Sequence, residues 1–203
     1  MKSSWVKLMI VGLLAAALFI FCPQVMPLVK PACSPPVACR PQPVLPPPGI
    51  RYLEKVEDLV LTMTNQARQA KGVAPLSADA ELRQVARAFS NDMLVRRFFD
   101  HTTPDGVDFA ERITDQYPHR VFLVGENIWD AYGYSPANAQ RLAQEIVADW
   151  MSSPGHRENL LSPAFTHLGV GVSARQHTIK ATQEFVRKSM GFDWRGLLSP
   201  KGP

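Results

Sequence analysis

Apolar positions recur along this chain at two different periods, and the change of period marks its elements. Leu53, Val56, Leu59, Val60, Met63 and Ala67 repeat at helical spacing, and Gly72 closes that segment. A second helix is predicted from Ser77 as N-cap, with Asp79 and Glu81 in its first turn and Leu82, Val85, Ala86, Phe89 and Met93 as its buried stripe. A shorter helix is predicted around Asp108–Ile113. A fourth opens at Ser135-Pro136, with the proline at its first position and Leu142, Ile146, Val147 and Trp150 on its inner side. Strand patterns occupy Val121–Val124, Leu168–Ser173 and Thr178–Val186. In the last strand, which holds Gln183 and Phe185, alternate residues are expected to face the core. No internal repeat is present. Early helices, late strands and one helix between them predict an α+β domain.

Residues 1–30 follow another pattern. Lys2 and Lys7 precede Leu8 to Phe21, which carries no charge, and this order reads as an export signal. The uncharged run continues to Val29, long enough to cross a bilayer at roughly 20 residues. No A-x-A cleavage site follows, and Phe19-Ile20-Phe21 before Cys22 lacks the small residue of a lipoprotein signal. The expectation is an uncleaved single-pass membrane anchor, with Lys2 and Lys7 inside and the domain facing outward. Secretion after signal cleavage is the alternative. Residues 31–50 are a proline-rich linker, a semi-rigid polyproline II spacer. The expected domain covers 51–190, and 191–203 form a tail.

Charge and cysteine usage separate these parts further. Residues 1–50 hold 10 of the 18 prolines, four basic residues and no acidic one, whereas 51–203 balance 18 Lys+Arg against 18 Asp+Glu. The net charge of +4 therefore belongs to the N-terminal segment. A domain without basic excess argues against nucleic acid as a partner. Cys22, Cys33 and Cys39 all lie in that segment; Cys33 and Cys39 fit either a small disulfide loop or two free thiols. The domain has no thiol nucleophile and no internal disulfide.

Three segments carry the candidate chemistry. In Trp150 to Val172, His156 directly follows a predicted Pro154-Gly155 turn, and an apolar strand alternating with glycine comes twelve residues later. Phe99-Asp100-His101 and Gly125-Glu126-Asn127-Ile128 lie upstream. In order and spacing these segments resemble the CAP superfamily, or SCP domain, over roughly residues 53–187. The absence of domain cysteines points to its bacterial exported branch. The resemblance implies a three-layer α-β-α sandwich with a largely antiparallel central sheet. It also implies a cleft lined by His101, Glu126 and His156. A further family glutamate falls on Ser153, leaving Asp149 or Glu158 as substitutes. Asn65 and Arg68 match the family's N-x-x-R and imply a buried hydrogen-bond network. Arg112 is expected to pair with a carboxylate near the cleft, Asn127 to tie the Gly125 loop to its neighbours, and Trp150 to be core. His119, His167 and His177 have no motif support.

Two neutral imidazoles and a carboxylate, His101, His156 and Glu126, are the donor types that suit a divalent ion such as Zn²⁺. A hydrogen-bonded polar cluster fixing loops around the sheet fits the same residues. Ser152 and Ser153 lie near His156, but no G-x-S-x-G elbow is present. Glycosidic hydrolysis wants two carboxylates, and only Glu126 is placed. The expected function is a binding module for a cell-envelope or extracellular ligand. The alternative is a metal-dependent hydrolase using the same cleft, and a third reading is a stalk-and-head protein with an inactive cleft. Family members have been associated with lipid or sterol binding, protease activity and defence, so fold alone leaves enzyme status open.

Overall fold

Helices pack on both faces of one sheet. The computed structural model describes residues 45–133 and 138–188, with the backbone of 9–10. Its strands are β1 (Met9–Ile10), β2 (Arg51–Tyr52), β3 (Ser77–Ala78), β4 (Val121–Tyr132), β5 (His167–Arg175) and β6 (Thr178–Lys188). The helices are α1 (Glu54–Ala70), α2 (Ala80–Arg96), α3 (Phe109–Gln116), α4 (Ala139–Ser152) and α5 (Pro154–Leu161). The sheet order is β1-β4-β6-β5-β2, antiparallel throughout, except that β3 adds to β5 in parallel. Met9–Ile10 pair with β4 and so depart from the membrane span expected there; the rest of the expected anchor lies outside the described residues, as do the linker up to residue 44 and the tail. Ile50, at the end of the expected linker, is buried. Among the described residues no helix is long and apolar enough to cross a membrane.

One core lies between the sheet and α1, α4 and α5, built from Val60, Leu142, Ile146, Trp150, Leu160 and Phe185 among others. The opposite face packs on α2 and α3 through Leu82, Val85, Phe109, Ile113, Val124 and Val186. Because both faces are covered, β6 is buried from Ile179 to Val186 without alternation. This departs from the alternation expected of that strand.

Four element boundaries differ from the sequence expectation. Ser77 does not cap α2: its N–H bonds to Thr166 O and that of Asp79 to Leu168 O, so the chain here serves the sheet. Asp79, an equally good cap, accepts the Leu82 N–H at 2.9 Å instead. Asn138, not Ser135, caps α4 through the Arg141 N–H at 3.0 Å, and Ser135-Pro136 lie outside the described residues. Strand β4 does not stop at Val124 but runs through Gly125-Glu126-Asn127 to Tyr132. Polar side chains there find partners inside the protein, so polarity does not end the strand. Finally, Pro154-Gly155 is not an isolated turn but opens α5, with proline in its first turn.

Helix α2 lies directly on β5. A Cβ at Gly169 would stand 2.5 Å from the Arg83 nitrogen, and one at Gly171 2.7 Å from the Ala86 carbonyl oxygen. The glycine alternation in Leu168-Gly169-Val170-Gly171 is therefore a contact surface for helix backbone. At the outer edge of β5, between its pairings with β3 and β2, the Val172 N–H donates to Glu57 Oε1 at 3.0 Å, and Val172 O accepts from Leu53 N at 2.9 Å. Arg87 of α2 clamps the same buried Glu57, with Nη2 at 2.6 Å from Oε2. One carboxylate thus joins α1, β5 and α2.

Candidate functional site

Strand register sets the site. Glu126 on β4 stands opposite Glu184 on β6, which puts both side chains on the α2/α3 face, and both are buried. Arg112, on the inner side of α3, lays its guanidinium 3.3 Å from the centroid of the Phe89 ring. Its Nη2 donates to Glu126 Oε2 and lies 3.8 Å from Glu184 Oε1, while Nη1 points to the His101 carbonyl at 3.4 Å.

His101 comes from the loop after α2, where Arg97 takes a left-handed conformation and ends the helix. Asp100 Oδ1 then accepts the Thr102 N–H at 2.9 Å, a local turn that presents the intervening His101. His101 Nδ1 meets Glu126 Oε1 at 2.7 Å, and the side chain remains 22% exposed. The arrangement fixes the ring by its Nδ1 and leaves Nε2 for the cleft.

His156 approaches from the other layer, on the third residue of α5. Its ring centroid lies 6.5 Å from that of His101. Asn127, which faces away from Glu126 on the same strand, donates Nδ2 to the His156 carbonyl at 3.1 Å. One turn further along α5, Asn159 Nδ2 donates to Glu126 O and to Asn127 Oδ1, each at 3.0 Å. Gln183 extends this chain, accepting from Asn127 at 3.2 Å and donating to Thr64 of α1 at 2.9 Å. Burial, and then the neighbouring His101, push the His156 imidazole down to about 4, so it is neutral over the ordinary pH range.

The three residues expected in the cleft, His101, Glu126 and His156, are therefore brought together, but their roles differ. Both Glu126 oxygens are engaged, one by His101 and one by Arg112. Glu126 does not fit as a first ligand of a metal; it fits as the carboxylate behind a ligating histidine. Among the described residues, no group of three or more His, Cys, Asp or Glu side chains could hold a metal ion. A divalent cation at this site would have to draw its protein ligands from His101 and His156. Glu126 itself lies within β4, not in a loop, and accepts from side chains.

Asp149 and Glu158 do not replace the missing glutamate. Asp149 accepts from Trp129 Nε1 at 2.7 Å, and Glu158 is exposed beside Pro154, Arg157 and Leu161. Ser152 donates to the Asp149 carbonyl at 2.8 Å and Ser153 joins α4 to α5, which explains both as helix-end residues. Asn65 exchanges two hydrogen bonds with the Leu76 backbone, and buried Arg68 donates to Ala74, Leu160 and Ser162 carbonyls. Asn127 ties β4 to α5 within a strand and not within a loop. Trp150 is 1% exposed, and its Nε1 donates to Ile128 O at 3.0 Å. His119 packs edge-on against Tyr117, His167 meets the Thr166 hydroxyl at 2.8 Å, and His177 is exposed in the β5–β6 turn.

Sequence reasoning missed Glu184, Asn159 and the Gln183–Thr64 link. The signal for the strand residues was Thr182-Gln183-Glu184, three consecutive polar residues between the apolar Ala181 and Phe185. A polar triplet there demands internal partners.

A three-layer sandwich whose layers deliver His101 and His156 on either side of a buried Glu126 defines the CAP, or SCP-domain, class. The description "Cysteine-rich secretory protein family" matches residues 61–185, and the chain belongs to that family. It is 40% identical over 116 residues to the uncharacterized protein YkwD of Bacillus subtilis (strain 168), covering 57% of this chain and 41% of that protein. It is 34% identical over 133 residues to the uncharacterized membrane protein YlbC of the same organism, covering 65% and 34%. The crystal structure of an extracellular SCP-domain protein from Bacillus anthracis str. Ames superposes with a TM-score of 0.56 and 30% identity, over 66% of this chain and 41% of that one. The chain thus spans well under half the length of these relatives.

Proposed function

We propose that this protein is an exported CAP-domain module whose His101/His156 cleft binds a cell-envelope or extracellular ligand. The observation that carries this reading is the state of Glu126. A carboxylate held by His101 on one oxygen and Arg112 on the other is not free to act as nucleophile or general base, whereas the two imidazoles at its front can accept and donate hydrogen bonds. A divalent ion such as Zn²⁺, bound weakly between His101 and His156, is compatible with that role. Export is supported by the order of residues 1–50, by the membrane protein YlbC and by the extracellular protein of B. anthracis.

The alternative is a metal-dependent hydrolase in the same cleft. Immobilised full-length protein, wild type and His101→Ala/His156→Ala, separates the two. Retention of one envelope component by wild type alone, unaltered on elution, supports binding. Chelator-sensitive cleavage of that component supports hydrolysis and overturns the binding reading. A reporter fused after Pro203 should be active only outside the cytoplasm; cytoplasmic activity overturns the topology.

A further inference from the structure

Four carboxyl side chains are buried among the described residues: Glu57, Asp79, Glu126 and Glu184. Glu57 has Arg87 and the Val172 N–H, Asp79 has Leu82 N–H, Tyr117 and Lys188, and Glu126 has His101 and Arg112. Glu184 differs. Neither of its oxygens has a hydrogen-bond donor. An ionised carboxylate can only accept, and burying one without donors is among the least favourable arrangements in a protein.

Charge counting sharpens the point. Arg112 brings one positive charge to two buried carboxyl groups. That charge is committed to Glu126, with Glu184 left at 3.8 Å from Nη2. Among the described residues no other charged side chain pairs with Glu184. On its other side β5 presents Gly169, and α2 covers this face with Phe89 against Arg112 and Ser90 against Thr182. A proton on Glu184 resolves both problems, because it neutralises the excess charge and supplies the donor that the pair lacks.

We propose that Glu184 is a protonated carboxylic acid at neutral pH, whose O–H donates to Glu126 and so positions His101. Glu126 then receives three donors: Arg112, Glu184 and the His101 Nδ1–H. The proton on His101 is thereby held at Nδ1, and Nε2 faces the cleft as an acceptor or ligand. Burial, and next the Glu126 charge, hold the Glu184 carboxyl well above the usual carboxylate range, with Arg112 opposing. Glu184 acts through Glu126 and touches no ligand, so it is a positioning residue. The inference rests on the cluster itself and not on which ligand the cleft takes, so its failure leaves the binding reading standing.

The test uses the full-length, metal-free protein at neutral pH. Infrared spectra of protein labelled with side-chain ¹³C-glutamate should show the C=O stretch of a protonated carboxylic acid, shifted by the label and absent from Glu184→Gln. Nitrogen NMR should find His101 as the Nδ1–H tautomer in both proteins. Absence of the acid band in wild type overturns the proposal. So does an Nε2–H tautomer of His101 in wild type, because the ring would then have no Nδ1–H to give Glu126. If Glu184→Gln fails to fold, the wild-type band decides alone.

Discussion

Asn127 donates its side-chain amide to the backbone carbonyl of His156, so the strand that carries Glu126 also grips the helix that carries the second histidine. The two cleft histidines are held by adjacent residues of β4, one from each face of the sheet. Asn127→Ala should cost about 1–3 kcal/mol, because it strands Gln183 Oε1 in the interior and removes the tie to the His156 carbonyl. Denaturant unfolding reads this directly. The His156 titration midpoint, followed by NMR, should rise from about 4 as water reaches the ring.

Acid should unfold the domain through His156. Its folded value, about 4, lies below the ordinary 6.5, so the unfolded chain binds a proton between those limits that the native state refuses. Stability is therefore complete above pH 6.5 and falls as pH drops toward 4. The loss approaches about 3 kcal/mol if the ring stays fully enclosed, and less as the site relaxes. In His156→Gln the same interval should flatten. An identical slope in both proteins would mean that His156 is solvated.

Backbone contact between α2 and β5 leaves no room for a methyl group. Gly169→Ala and Gly171→Ala should each destabilise by about 2 kcal/mol or more, since helix backbone and not a flexible side chain must yield. Thermal melts test this. A melting temperature within a degree of wild type would show that α2 can slide.

Zinc binding, measured by calorimetry, should be modest in wild type and lost in His101→Ala and His156→Ala. Glu126→Gln should lower affinity by about 10–100-fold while leaving the two ligands in place, the effect of a carboxylate behind a histidine. Weaker binding at lower pH should follow from imidazole protonation. If all four proteins titrate alike, the cleft is a polar scaffold without a metal.

Trp150→Ala should cost about 3–5 kcal/mol, the usual range for truncating a fully buried indole. An unchanged denaturation midpoint would contradict its place between α4 and β4.

How much of this was legible beforehand depended on whether a residue's role is local. The stripes of α1, α2 and α4 follow from spacing, and His101, Glu126 and His156 stand in motifs specific enough to reveal the family. Caps were ambiguous where two good capping residues sit close together, as at Ser77 and Asp79, because a strand pairing decided between them. Strand β4 looked too short because Glu126 and Asn127 appear as polar breaks until their partners on α3 and α5 are known. Glu184 and Asn159 could not be assigned from sequence, since their meaning lies in register and in layers far apart along the chain. Pro154-Gly155 looked like a turn because short helices carry little periodic signal.

The Glu57 carboxylate at Val172 has a consequence for the company this protein keeps. A strand margin without a partner strand is a template on which a foreign strand can grow, and β5 has such a margin, buried in the native fold, between its pairings with β2 and β3. There the Val172 N–H and carbonyl are already answered by Glu57 and Leu53. An incoming strand would have to evict a carboxylate locked by Arg87 before it could form its first rung. Side-by-side fibril growth from that flank is blocked by an ion pair, without the proline or bulge that usually performs the task.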